Sequence, residues 1–362
     1  MRDIFESTLD RLLTDLVTPT VLRECESGAW PSTLWSALEE SGFALAAASE
    51  AMGGAGAGWD DLYVVVRVAG KHALPLPLPE TLLANHLLAR CGLQAHNEAL
   101  TIAPRAQLSL EGGMVRGQLF DVPWGRHAAG VLALAGGREP TLVLLDPKAA
   151  RLIAKQNVAG EPRDDFFFDS ATPPIASTPL PADLSPECVW LGGAMLRCAQ
   201  SAGALEAALE LSVQYATERV QFGKPIATFQ AIQHQLAVMA EHASCAAVTA
   251  EAAFVESVDG FSAFAIGTAK VISAEAAGIV ASMAHAVHGA IGFTQEHALQ
   301  HLTRRLWSWR SEFGNLAHWC QRLGQATCEG GSGALWPTIT AGQLELPPIA
   351  NPTVVNETKQ LP

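Results

Sequence analysis

The chain has 362 residues, with 23 Lys and Arg against 36 Asp and Glu, so its formal net charge is −13. This acidic balance disfavours binding to a nucleic-acid backbone, which needs a face rich in Lys and Arg. Hydrophobic residues make up 49% of the chain, and a chain of this length can bury a large core without disulfides. We therefore predict two or three domains and no nucleic-acid partner.

The chain begins with acidic residues, Asp3 and Glu6, where a signal peptide would carry basic ones. No window of about 18 residues is apolar without interruption, so no membrane span is expected. The seven cysteines are scattered, with no C-x-x-C pair and no His at zinc-ligand spacing. These features predict a cytoplasmic protein with reduced, mostly buried thiols and no metal site.

Residues 1–97 are interpreted as an N-terminal helical domain, because their apolar residues recur at helical spacing. A Gly-rich stretch, residues 52–58, interrupts the pattern. A phosphate-binding loop would need a preceding strand and a Gly-Lys-Ser/Thr ending, and both are absent. The Gly-rich stretch is therefore predicted to be a turn.

Residues 98–182 form short apolar runs separated by Gly and Pro breaks, which indicates a small antiparallel β-domain. The clearest hairpin is predicted around Gly136 and Gly137. From residue 183 to 328 the pattern is helical again, and its breaks divide it into the four long helices of a bundle. Residues 329–362 contain several prolines and are predicted to be an extended tail.

Two segments of the bundle carry a family signature. Tyr215–Ile226 reads Y-A-T-E-R-V-Q-F-G-K-P-I and continues as F-Q-A-I-Q-H-Q-L-A from Phe229. It strongly resembles the Y-A-x-x-R-x-Q-F-G-x-P-I…F-Q-A-I-Q-H-x-L-A signature of acyl-CoA dehydrogenases. Val287–Glu296, V-H-G-A-I-G-F-T-Q-E, looks like that family's H-G-G-x-G-F-T-x-E segment. The resemblance covers about residues 30–325 and implies the family's fold: an N-terminal helical domain, a middle β-domain and a C-terminal four-helix bundle.

The resemblance implies FAD as cofactor, placed across a subunit boundary. The flavin ring would lie against one subunit's β-domain, and the ADP half would be held by the bundle of the adjacent subunit. Arg219 can pair with a pyrophosphate, although it could instead pair with Glu218 or Glu241. The cofactor-binding residues implied in this chain are Arg219, Gln221, Phe222, Gln230, Gly289, Ala290 and Gly292.

The catalytic base departs from the family pattern. Members need a Glu to take the α-proton of the thioester while hydride leaves the β-carbon for the flavin. The resemblance places that Glu at one of two positions, which are Phe313 and Gly193 here, and neither can accept a proton. Glu312 is adjacent to the first position, but one residue along a helix rotates a side chain by about 100°. We therefore expect Glu312 to point elsewhere, and the chain to lack a base of its own.

The cofactor segments depart as well. Members hold the flavin ring with a T-E-x-x-x-G-S-D stretch and a W-I-T-N-G stretch. Of these stretches, only a faint match remains here, at Pro123-Trp124-Gly125. In the second bundle segment, Ala290 replaces a Gly, and Ala286 stands where many members have Gln. The resemblance therefore implies that the ring site is lost and the ADP site weakened.

Taken together, these departures resemble the degenerate, non-catalytic subunit of heteromeric bacterial acyl-CoA dehydrogenases. That likeness implies a heterotetramer with a catalytic subunit, an acyl-CoA substrate that is bulky or a steroid side chain, and an electron-transferring flavoprotein as acceptor. Two alternatives stay open. One is a self-sufficient homo-oligomeric dehydrogenase that uses an unassigned base such as Glu312. The other is a non-enzymatic scaffold or acyl-CoA-binding subunit.

Overall fold

The structure is a computed structural model, and it describes residues 1–136, 139–342 and 344–346. The first region is helical, and its apolar faces close on a core that includes Trp35, Trp59 and Leu82. The Gly-rich stretch between its third and fourth helices is a turn, as predicted. The helices are Arg2–Leu16 (α1), Pro19–Glu26 (α2), Ser32–Glu40 (α3), Trp59–Lys71 (α4) and Leu78–Arg90 (α5).

The middle region consists of two four-stranded sheets, ordered β1-β4-β5-β8 and β2-β3-β7-β6. Side chains alternate along β4 and β5, because successive residues of a strand point to opposite faces. Val131 and Val143 enter the core between the sheets, whereas Leu132 and Leu142 enter the helical core. The strands are Leu100–Ile102 (β1), Arg105–Glu111 (β2), Met114–Pro123 (β3), Gly130–Ala135 (β4), Thr141–Leu145 (β5), Arg151–Ile153 (β6), Arg163–Thr172 (β7) and Ala176–Pro179 (β8).

One strand pair differs from the predicted antiparallel arrangement. β1 runs parallel to β4, with Leu100 opposite Gly130, whereas the other pairs of the two sheets are antiparallel. The two parallel strands are joined by a long crossover through β2 and β3, which local spacing could not show. β4 and β5 do form the predicted hairpin, but Gly137 in its turn lies outside the described residues.

The C-terminal region is a bundle whose last helix is divided. The predicted fourth helix is two helices, separated at residues 310–315, because Phe313 and Gly314 both have positive φ. A short hairpin, Val220–Gln221 (β9) with Lys224–Pro225 (β10), follows the first helix. The helices are Cys188–Glu218 (α6), Gln230–Val255 (α7), Ala263–His288 (α8), Leu299–Trp309 (α9) and Leu316–Gly330 (α10).

Two smaller predictions need correction. The tail predicted to be extended contains a further helix, Leu335–Ala341 (α11), since its Pro337 lies in the first turn, where no backbone N–H is needed. The remainder of that prediction, residues 347–362, lies outside the described residues. The thiols are not mostly buried: Cys25, Cys188 and Cys198 are buried, Cys91 is half-buried, and Cys245, Cys320 and Cys328 are exposed.

The stretch Ala263–Phe293, α8 and the turn after it, is long and apolar enough to cross a membrane by length and composition alone. Half of its apolar window is buried inside the protein, because α8 packs against α6, α7 and α9. A core helix of a bundle has the same composition. We therefore read α8 as a core helix.

Candidate functional site

A cleft of about 720 Å³ lies between the β-domain and the turn that joins α9 to α10. Arg105, Asp121 and Lys155 line it on the β-domain side. Trp190 and Phe313 line it on the bundle side. Since the position expected for a catalytic base falls on this wall, the cleft is the place to look for chemistry.

The two positions that the resemblance gives for the base are neighbours in space. Phe313 is buried, with 5% of its surface exposed, and its ring lies against the backbone of Gly193 on α6. A Cβ atom added at Gly193 would overlap that ring. The carbonyl of Phe313 accepts a hydrogen bond from Trp319 Nε1 at 3.0 Å, which fixes the strained turn. An aromatic ring therefore fills the space that both positions share, and neither supplies a proton acceptor.

Glu312 lies in the turn rather than in a helix, so the rotation argument for its direction does not apply. It does line the cleft, but its carboxylate is fully engaged. Arg163 Nε donates to Oε1 at 2.8 Å and Arg197 Nε donates to Oε2 at 2.7 Å. Burial acts to raise the pKa of Glu312, but the charges of Arg163 and Arg197 outweigh it and lower that pKa to about 2. A carboxylate held so firmly in its ionised form is a poor general base.

The ion pairs of Glu312 belong to a larger buried network. Arg197 also donates to Glu80 of α5 at 2.7 Å, and Arg163 also donates to Glu161 at 2.8 Å. Glu161 in turn accepts from the indole N–H of Trp309 on α9 at 3.1 Å. The network thus joins the N-terminal helical domain, the β-domain and the bundle. Every full charge in it has a counter-charge, as buried charges require.

A buried lysine supports the same turn from behind. Lys270 on α8 is 1% exposed, and its Nζ donates to the carbonyl of Glu312 at 2.7 Å and to that of Trp309 at 3.2 Å. These carbonyls lie at the last residue of α9 and in the turn that follows it, where a positive charge is favourable. Burial lowers the pKa of Lys270 to about 8. The backbone around Phe313 is therefore fixed from both sides.

The β-domain side offers little to a flavin ring. Thr101 is fully buried, and its hydroxyl donates to the carbonyl of Pro123 at 2.5 Å, so it does not face the cleft. Trp124 is also buried, with φ of +55°. In the cleft itself Asp121 pairs with Arg105 and with Lys155. Among the described residues, this wall presents closed ion pairs and does not fit the polar edge of a flavin.

The end of the bundle at which α6 stops is exposed, in contrast to the cleft, and is called the open end. Arg219 ends α6, and its side chain is exposed with no acidic group within salt-bridge distance among the described residues. The alternative pairing with Glu218 or Glu241 is thus not present. Phe222, at the tip of the β9–β10 hairpin, is 92% exposed and has φ of +52°. An exposed guanidinium and an exposed aromatic ring on the same short segment can bind an anionic, partly aromatic ligand.

The second cofactor segment lies at the same end of the bundle, because Tyr215 on α6 stacks on His288 at the end of α8. Gly289 follows with φ of +65°, Ala290 is exposed, and Gly292 is buried in the turn. The Arg219 hairpin and the Gly289 turn therefore lie at the same end of the bundle. Of the remaining predicted residues, Gln221 and Gln230 are exposed, and the Gln221 amide donates to the carbonyl of Val220.

Sequence reasoning missed the residues that occupy the cleft, above all Arg163 and Arg197. A signal was available for Arg197, which is the one charged residue between Cys188 and Gly203 in an otherwise apolar stretch of α6. An arginine buried in that way requires an acidic partner. Nothing in the local sequence indicated that the partner would be Glu312.

Comparison with known proteins agrees with this architecture. Residues 192–323 match the family model "Acyl-CoA dehydrogenase, C-terminal domain". The acyl-CoA dehydrogenase IpdE2 of Mycobacterium tuberculosis is 28% identical over 309 residues, 82% of this chain and 87% of that protein. Two solved structures share the fold. The ChsE4–ChsE5 complex of M. tuberculosis has a TM-score of 0.82 and 22% identity, and it covers 91% of this chain and 97% of the matched chain.

The second structure is a variant of the Tcur3481–Tcur3483 steroid ACAD, with a TM-score of 0.79 and 26% identity over 91% of this chain and 98% of the matched one. The predicted fold, mainly α with a small β-domain, is confirmed by these structures. The matched segment contains both signature stretches of the bundle. The chain is thus similar to acyl-CoA dehydrogenases over most of its length, and its bundle matches the C-terminal domain of that family.

Proposed function

We propose that this chain is a subunit of an FAD-dependent acyl-CoA dehydrogenase that lacks a base of its own and completes the FAD site of a catalytic partner. The observation that carries the proposal is the pairing of Phe313 with Gly193. Of the two positions expected for a Glu, one carries the aromatic ring of Phe313 and the other carries Gly193. The nearest carboxylate, Glu312, is held between two arginines.

The two halves of an FAD site fit this chain differently. The open end of the bundle suits the ADP half, since Arg219 has no acidic partner in the part of the chain that the structure describes and Gly289 allows the backbone to approach a ligand. The cleft does not suit the ring half, because Thr101 is turned inward and Asp121 is paired. The chain therefore supplies the ADP-binding surface to a neighbouring subunit and leaves the ring to that subunit.

The reaction proposed for the assembly is α,β-dehydrogenation of an acyl-CoA. When bound, FAD supplies the hydride acceptor of this reaction, and a carboxylate base takes the α-proton. Arg219 of this chain would neutralise part of the pyrophosphate charge. The base and the substrate thioester are assigned to the partner, because Glu312 is not free to accept a proton.

The partner is proposed to be a catalytic acyl-CoA dehydrogenase chain, giving a heterotetramer in the cytoplasm with an electron-transferring flavoprotein as acceptor. Support comes from the two structures named above, since each carries the names of two chains and one is called a steroid ACAD. A bulky or steroid side-chain acyl-CoA is the proposed substrate for the same reason.

The test is the flavin content of the purified protein. The chain is purified alone and after co-expression with a dehydrogenase-like chain encoded beside it, and FAD is measured by visible absorbance and by release. We expect flavin only in the co-purified complex, at about one FAD per pair of chains.

Full flavin occupancy with acyl-CoA turnover in the isolated chain would overturn the proposal and support the self-sufficient enzyme. A complex that forms but contains no flavin, or one whose flavin content is indifferent to Arg219→Ala, would support the scaffold instead.

A further inference from the structure

The exposed end of the bundle contains two short segments with no hydrogen-bonded ladder between them. The first is the hairpin after α6, which begins at Arg219, and the second is the turn after α8, which begins at Gly289. A ligand that contacts both segments requires them at a fixed separation. Loops alone do not provide this, because their backbone is only locally constrained.

The contact that joins the two segments is an aromatic stack. The rings of Tyr215 and His288 have centroids 4.7 Å apart and an interplanar angle of 25°. His288 is 3% exposed, and its Nδ1 lies 2.8 Å from the carbonyl of Ala284, which fixes the plane of the ring. The ring of His297 is tilted by 70° to that of His288, with centroids 4.8 Å apart. Tyr215 therefore meets a ring that is already immobilised.

Both stacked residues lead directly into the two segments. The carbonyl of Tyr215 accepts a hydrogen bond from the N–H of Arg219 at 2.8 Å, one helical turn further along. His288 is the residue before Gly289, and a Cβ added at Gly292 would lie 3.1 Å from Cβ of His288. The stack therefore fixes the position of the hairpin that begins at Arg219 relative to the turn that begins at Gly289.

Burial favours the neutral form of the histidines in this contact. Desolvation lowers the pKa of His288 and the pKa of His297. The backbone of Leu211 on α6 and the ring of His285 on α8 also lie near His288, and burial lowers the pKa of His285 as well. Neutral rings stack without the cost of burying charge. The contact therefore acts through packing.

We infer that Tyr215 and His288 are positioning residues that hold Arg219 and the Gly289 turn at the separation required by the ADP half of the shared FAD. This inference rests on the proposed function. Neither ring needs to touch the cofactor, since each acts through the segment that follows it. Their contribution is preorganisation, which raises affinity by lowering the cost of ordering the site.

The experiment uses the co-expressed complex and free FAD as the probe. Tyr215→Leu removes the stack, whereas Tyr215→Phe keeps it and removes only the hydroxyl. His288→Leu and His288→Phe form the matching pair on α8. Phe5→Leu serves as the control, because it removes a ring from a distant aromatic pair with Phe43. FAD affinity, complex formation and melting temperature are measured for each variant.

We expect both Leu variants to weaken FAD binding by about tenfold, the equivalent of one aromatic pair, while the Phe variants and Phe5→Leu stay near wild type. Subunit association should not change. Equal losses of FAD affinity and of association in the Leu variants would show a merely structural role and overturn the inference. So would unchanged FAD affinity in a complex that binds flavin. A wild-type complex without flavin would instead contradict the proposed function itself.

Discussion

The cleft and the open end of the bundle differ in how their charged side chains are paired. In the cleft, the carboxylate of Glu312 is shared by Arg163 and Arg197, and Asp121 is paired with Arg105 and Lys155. At the open end, Arg219 has no acidic partner among the described residues and Phe222 is almost fully exposed. Unpaired surface charge favours recognition, whereas buried paired charge favours rigidity. The difference supports the proposal that this chain binds the cofactor at the open end of the bundle and that the charges of the cleft stabilise the fold.

The largest effect is expected from removing the centre of the closed network. Glu312→Gln leaves Arg163 and Arg197 facing a neutral amide, and breaking a buried ion pair from one side costs about 3–5 kcal/mol. The free energy of unfolding of the isolated chain, measured in urea, should fall by that order. Glu296→Gln, on an exposed residue, is the control.

The same variant tests the alternative enzyme. Acyl-CoA turnover per folded complex should be unchanged in Glu312→Gln, because the proposed base belongs to the partner. Turnover that disappears from a complex still assembled and folded would identify Glu312 as the base.

The network should also appear in the pH dependence of stability. The pKa of Glu312 is about 2 in the folded chain against an ordinary value of 4.5, so the unfolded chain binds more protons between these values. The contribution of Glu312 is therefore complete above about pH 4.5 and is lost as the pH falls toward 2. The stability difference between wild type and Glu312→Gln should shrink over that range. A difference that stays constant would contradict the assigned ion pairs.

The open end is tested by Arg219→Ala. A hydrogen bond to a charged group contributes about 1.5–3 kcal/mol, so FAD should bind the complex about ten- to a hundredfold more weakly. Arg116→Ala, which removes another exposed arginine on β3, should leave the affinity as it is. The readout is FAD titration of the apo-complex.

The smallest effect, on acyl-CoA turnover, is expected from placing a carboxylate at one of the two positions of the catalytic base. Phe313→Glu should give the isolated chain no acyl-CoA turnover, because Arg197 already lies 5.6 Å from the ring centre of Phe313 and would pair with the new carboxylate. Such a pair lowers the pKa of the carboxyl and removes it as a base. Turnover is measured with an artificial electron acceptor, and any gain above background would contradict this interpretation.

The fold and the departures from the family pattern could be predicted because they depend on contiguous residues. The Arg219 segment and the positions Phe313 and Gly193 are located by signature spacing alone. The contents of the cleft could not be predicted, since Arg163, Arg197 and Glu312 come from three separate elements. The division between α9 and α10 was equally hidden, because it depends on positive φ at Phe313, a conformation that a bulky side chain rarely adopts.

The contact between Phe313 and Gly193 has a consequence for variation among related chains. The two residues are far apart in the sequence but lie next to the same space in the fold. A large side chain at either position therefore requires a small residue at the other. A side chain added at position 193 should be tolerated only together with a smaller residue at position 313. Residues 193 and 313 are thus expected to covary, and their joint identity distinguishes a chain that can carry a base from one that cannot.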